Sequence, residues 1–186
     1  MLPAKPNDYQ TALNRVTFGA RDLDVQSVEA TGWPAWIENQ LNPPDGDDPA
    51  LDAHLNAQTL KIKYPAASDS QPNGTWLAVN EDRPLNYINA DTETLWYVAT
   101  QAGKAVAFQE RYRVQQELAA ATWIRNTHSA FQLREFMTDF WHNHFNVGKD
   151  ENVLATTMLP VYDRVAIRSH AFGNFREMLE ANATTT

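Results

Sequence analysis

The chain has 186 residues, 43% hydrophobic and 20% charged, with 15 basic against 23 acidic side chains and a net charge of −8. One domain is the default at this length, able to bury roughly 70% of its unfolded surface, and the acidic balance offers no basic field to attract nucleic acid or anionic lipid. The absence of cysteine removes thiol nucleophiles, thiolate metal sites and disulfides, and no run approaches the ~18 apolar residues of a membrane span.

Residues 7–42 read as three short helices. Leu13, Val16 and Thr17 fit one helical stripe that Gly19 stops, and Leu23, Val25 and Val28 begin a second that Gly32 ends. Trp33-Pro34 restarts a helix, because proline suits a first helical turn, and Trp36, Ile37 and Leu41 supply its apolar face before Pro43-Pro44 close it.

Residues 43–88 are rich in proline and carry an acidic run at Asp45, Asp47, Asp48 and Asp52. They are expected to form a loop-rich excursion over the surface, with one short helix around Leu51 to Leu60, since the polar residues show no spacing that chemistry would need.

Residues 89–182 hold the main helices. Asp91 can cap a helix running through Trp96 to Gly103, and a pattern free of proline and glycine extends from about Val106 to Thr127. Ser129 and Gln132 have the spacing of a capping box that opens the next helix, and Asn174 with Glu177 repeats it near the end. Strand signals are sparse. The fold class is therefore expected to be all-α, an irregular multi-helix bundle with a long, loop-rich middle.

The densest chemistry lies between Gln132 and Phe145. At 100° per residue Leu133, Phe136, Met137 and Phe140 share one face, which His144 joins, so that His144 is expected to look toward the core. Glu135, Asp139 and His142 occupy the opposite face as neighbours. Two histidines at i and i+2 grip one ion only where the backbone is extended, since a continuous helix sets them about 200° apart. Either the helix ends near Trp141 and both rings converge, or one histidine alone belongs to a site. In the second case Asp139-x-x-His142 resembles half of a carboxylate-bridged metal bundle, with His170, His128, Glu110 and Glu117 as donors from elsewhere. The plainer uses are a core histidine at 144, a solvated face at Glu135, Asp139 and His142, and packing for the aromatic residues. Arg111, Arg113, Arg125 and Arg134 could together form an anion site, but pairing with the many acids is the expected use. No Gly-x-Ser-x-Gly, phosphate loop, dinucleotide fingerprint or His-Glu-x-x-His occurs.

Four blocks together carry a resemblance. Ala12-Leu13-Asn14-Arg15-Val16-Thr17-Phe18-Gly19-Ala20 and Gly32-Trp33-Pro34-Ala35-Trp36-Ile37-Glu38-Asn39-Gln40-Leu41-Asn42-Pro43 resemble the opening of the bacterial domain-of-unknown-function 1800 family. Leu133-Arg134-Glu135 through Phe140-Trp141-His142-Asn143-His144-Phe145, then Arg168-Ser169-His170-Ala171-Phe172-Gly173-Asn174-Phe175-Arg176-Glu177-Met178-Leu179, resemble its next blocks. The resemblance implies a predominantly helical protein, often exported, so a periplasmic or extracellular setting, and it brings no assigned activity. It also implies a longer chain, of which residues 1–186 are the N-terminal portion, and it raises the standing of His142, His144 and His170.

Two readings of function stand open. In the first, an extracytoplasmic metal-dependent enzyme or redox protein holds a divalent metal ion on His142, His144 and His170, with Asp139 or Glu135 as further ligand or support. In the second, a non-enzymatic scaffold or interaction module uses its histidines structurally. Its partner is then the remainder of the family protein, another protein or a second copy.

Overall fold

The computed structural model describes residues 7–46, 48–67, 75–147 and 153–185; Asp47, one member of the acidic run, lies outside them. Three short helices open the fold as the sequence leads one to expect. Helix α1 (Asp8–Val16) starts on a capping box in which Asn7 Oδ1 accepts from the Gln10 N–H at 2.7 Å while Gln10 Oε1 accepts from the Asn7 N–H at 3.1 Å. Helix α2 (Asp22–Thr31) ends at Gly32, whose φ of 83° lies in the region a side chain disfavours, and α3 (Trp33–Leu41) follows without a spacer. Leu13, Val25, Val28 and Trp36 bury their side chains together between the three.

The middle of the chain corrects the all-α expectation. Helix α4 (Pro49–Ala57), capped by Asp48, leads into an antiparallel hairpin of β1 (Thr59–Tyr64) and β2 (Val79–Pro84), paired from Thr59↔Pro84 to Tyr64↔Val79. The fold is thus mostly helical, 68% of the described residues, with a two-stranded sheet. In β1, lysines separate Leu60, Ile62 and Tyr64, a two-residue period; Ile62 and Tyr64 are buried against Ala107. In β2 the sequence Val-Asn-Glu-Asp-Arg-Pro carries almost no strand propensity. Its register agrees with charge complementarity, Lys61 lying opposite Asp82 at 3.7 Å.

After a 3₁₀ turn at Tyr87–Asn89 come α5 (Thr92–Gln101), capped by Asp91 through the Thr94 N–H, and α6 (Phe108–His128). Helix α7 (Gln132–Phe145) begins where predicted but without the predicted capping box. Ser129 closes α6 and accepts from the Phe131 N–H, Gln132 turns back to the Ser129 carbonyl, and the N-cap is Phe131. Helix α8 (Val153–Tyr162) contains Pro160 and runs on as a π-helical turn, Asp163–Ile167, and a 3₁₀ turn, Arg168–His170, before α9 (Phe175–Thr185). Asn174 Oδ1 accepts from the Arg176 N–H at the start of α9.

Helix α6 is the spine of this half. It packs on α4 through Ala121 and on α8 through Val114, which sits with Leu95 and Val98 of α5 beside Met158 and Val161. Tyr162, Ala166 and Ile167 close the far end against Trp141 and Phe145 of α7. No described helix is long and apolar enough to cross a membrane.

Candidate functional site

One face of α6 presents Glu110, Arg113, Glu117, Ala121 and Arg125 at intervals of three and four residues, and all of them are buried. An ionised side chain moved out of water costs several kcal/mol unless it is paired and hydrogen-bonded. The rest of the fold is arranged around that requirement, in two clusters.

The first cluster lies where the hairpin meets α6. Glu110 Oε1 accepts from the Tyr64 hydroxyl and from Arg83 Nη1, each at 2.7 Å, and Glu110 Oε2 takes Arg113 Nη1 and the Tyr87 hydroxyl at 3.3 Å. Glu117 lies 2.6 Å from Arg113 Nε and accepts the Tyr87 backbone N–H at 2.5 Å, and the Arg113 guanidinium sits 4.6 Å above the Tyr87 ring. Burial pushes both glutamates toward the neutral form. At Glu110 the Tyr64 hydroxyl, Arg83 and Arg113 outweigh it and hold the carboxyl below its ordinary range; at Glu117 burial wins and the carboxyl is raised. Burial also raises the Tyr87 phenol to about 12.

The second cluster joins α6, α7 and the π-helical turn. Asp163, the first residue of that turn, is 4% exposed. It lies 2.8 Å from His142 Nε2, 3.5 Å from Arg168 Nε and 3.8 Å from Arg125 Nη1. Burial alone would raise its carboxyl, but Arg168, the His142 hydrogen bond and Arg125 hold it well below the ordinary carboxylate range. The ionised carboxylate therefore accepts, and His142 Nε2–H donates. Arg168 Nη1 also reaches Glu135 Oε2 at 2.7 Å, Arg134 Nε stands 3.5 Å from Glu135 Oε1, and Arg134 Nη1 donates to the carbonyls of Pro44 and Gly46.

The family described as a protein of unknown function, DUF1800, matches over residues 11–186. The chain belongs to that family. Comparison with the curated proteins gave no match, and comparison with the solved structures gave none either.

The structure distributes the five metal-ligand candidates of this family member as follows. His142 is taken by Asp163, and Glu135 by Arg168 and Arg134, so these two share a cluster without sharing a partner. Asp139 is exposed and accepts from Asn143 Nδ2 at 3.0 Å, and His170 Nδ1 meets the Ser169 hydroxyl at 2.9 Å. His144 is exposed over the rings of Phe140, Trp141 and Phe145. Among the described residues no group of three or more histidines and carboxylates is placed to hold a metal ion. Because α7 stays helical to Phe145, with Asn146 closing it at a φ of 45°, the two histidines of the pair point apart.

One expectation is reversed. The core face of α7 is the polar one, with Gln132, Arg134, Glu135 and Thr138 buried, while Phe140 is 49% exposed. His144 accordingly faces outward, not toward the core. A periodicity locates two faces of a helix but says which is buried only if the interior is apolar, and the interior here is ionic. Of the partners that make it so, Asp163 carries no sequence signal of its own and Arg168 is marked only as the first residue of a family block; Asp163 opens the π-helical turn, a distortion often met at functional sites, and Arg168 the 3₁₀ turn that follows it. The expectation of acid pairing holds for Arg113, Arg125 and Arg134, whereas Arg111 lies over the Phe108 ring at 3.9 Å and near that of Tyr112.

Proposed function

We propose that this chain is a non-enzymatic scaffold that docks an amphipathic helical segment with basic flanks onto the outward apolar face of α7. The inverted helix carries this reading: Glu135 and His142 of its charged face are taken by Arg168 and Asp163, while on its apolar face Phe140 is exposed and Leu133, Phe136 and Met137 are only half-buried. Phe18 meets Phe136 edge-on at 5.7 Å, and one turn along α7 the rings of Phe140, Trp141 and Phe145 join Phe175 of α9. Phe18, Phe140, Phe175 and Leu179 are 43–50% exposed. Exposed apolar patches of this kind mark interaction surfaces. Asp139, Glu177 and Glu180 are exposed on the same two helices against one exposed arginine, Arg176, on a chain of net charge −8. A second copy would bring the same acidic rim, whereas lysine and arginine flanks complement it.

Fluorescence anisotropy with a labelled amphipathic peptide, leucine on one face and lysine flanks on the other, tests the proposal. Binding should weaken about tenfold or more in a Phe140→Asp/Phe175→Asp variant and in the glutamate-flanked isomer. Equal binding of both peptides to both proteins would reject it, and a dimer that the double variant dissolves would assign the face to a second copy.

One observation favours the metal-site reading: a carboxylate that fixes an imidazole, as Asp163 fixes His142, is the arrangement found around metal-bound histidines. Elemental analysis of untagged protein beside a His142→Ala/His144→Ala double variant decides it. Equal and negligible metal in both would end that reading.

A further inference from the structure

Away from both ion clusters, two more histidines meet. His54 stands in the last turn of α4 and His128 is the final residue of α6. Their rings stack with centroids 4.1 Å apart and planes 18° from parallel, and both residues are exposed. The backbone beneath them is held by packing. Leu51 and Leu55, which flank His54 on α4, share an apolar cluster with Ala121 and Ile124, two turns and one turn before His128 on α6. A second tie comes from Asp48, the N-cap of α4, which accepts from the Ala130 N–H at 3.5 Å just past α6. Two ligand-type side chains, remote in sequence, are thus presented together from a packed pair of helices, which is the support a coordination site requires.

We propose that His54 and His128 form a two-imidazole site for a divalent transition-metal ion of the copper, nickel and zinc group. Two physical arguments carry it. Both rings sit at helix C-terminal turns, where the unpaired carbonyls and the summed peptide dipoles favour a cation. The separation also fits. At metal–nitrogen distances of about 2.0–2.1 Å, two nitrogens on one ion lie about 3–3.4 Å apart; rings with centroids 4.1 Å apart reach that spacing once they turn out of the stack so that one nitrogen of each converges on the ion. Imidazole nitrogen selects copper, nickel and zinc over magnesium and calcium, which take oxygen donors. Water completes the coordination of an exposed pair.

Isothermal titration calorimetry of untagged protein with copper(II) and with zinc(II) chloride, in a non-coordinating buffer, reads the site directly. One micromolar site is expected, tighter for copper than for zinc as the general order of divalent affinities requires. Either His54→Gln or His128→Gln should weaken it about tenfold or more, with circular dichroism unchanged because both side chains are exposed. Variants at His142, His144 and His170 should leave it intact, which separates this site from the histidine and carboxylate reading above. Electron paramagnetic resonance of the copper complex should show two nitrogen donors in the parent and one in either variant. Absence of a site in the parent, or a site that survives both substitutions, would overturn the proposal. The pair shares no residue with the α7 docking face, so either idea can fail without the other.

Discussion

The two halves of the interior are built on opposite principles. Between α1, α2 and α3 the buried volume is filled by Leu13, Val25, Val28 and Trp36; along α6, from the hairpin to α7 and the π-helical turn, comparable depth is filled by Glu117, Glu135, Asp163, Arg113, Arg125 and Arg134. An apolar cluster loses stability in proportion to the surface and cavity created when a member is cut back. An ion network behaves otherwise, because each removed partner leaves an uncompensated charge behind.

The largest effect is therefore expected from Asp163→Ala, which strips a carboxylate from Arg168, Arg125 and His142 together. Urea unfolding should show a loss of about 3–5 kcal/mol, and a loss below about 1 kcal/mol would mean that the network is slack. Leu13→Ala, at a fully buried position of the apolar half, should cost about 3 kcal/mol by lost transfer and cavity formation. The two substitutions share no partner, so the double variant should be additive within about 0.5 kcal/mol.

Acid titration separates the halves further. A carboxyl held below its ordinary value, about 3.9 for aspartate and about 4.3 for glutamate, contributes stability that is present above that value and lost as pH falls through the folded one. Asp163 and Glu110 are of this kind, so stability should fall on the acid side and Asp163→Asn should flatten the fall. Glu117 has the opposite sign. Burial raises its carboxyl over the opposing Tyr87 N–H and Arg113, so its contribution is present below about 4.3 and lost as pH rises through the folded value. Glu117→Gln should accordingly steepen the gain in stability just above that pH. Unfolding midpoints of the three proteins across that window are the measurement, and parallel curves would contradict both signs.

How much of this was legible before the structure follows the same division. The first three helices, the caps at Asp91 and Asn174, and the long α6 rest on glycine, proline and short-range hydrogen bonds, which a local pattern records. The β1 strand was legible too, in the alternation of Leu60, Ile62 and Tyr64 with lysines, yet without a recognisable partner it reads as loop. Strand β2 is polar and owes its place to pairing. The buried face of α7 was beyond local reading, because Glu135 and His142 go inward only if Arg168 and Asp163 arrive from a distorted turn some twenty to thirty residues later. His54 and His128 are joined by tertiary packing alone.

The two histidines of α7 bring the contrast down to a single helix. His142 donates to Asp163, while His144 lies on aromatic rings at the surface. His142→Ala removes one of three partners of a carboxylate that keeps its arginines, so about 1–2 kcal/mol is expected, a fall in melting temperature of several degrees at this chain length. His144→Ala, at an exposed position, should stay within about 0.5 kcal/mol, and so should Phe140→Asp. That last substitution matters most despite its size. Because α7 is inverted, a charge placed at the exposed Phe140 should cost the fold almost nothing while weakening docking of the basic-flanked peptide. If Phe140 instead belonged to the core, the same change would cost several kcal/mol and thermal unfolding alone would reveal it.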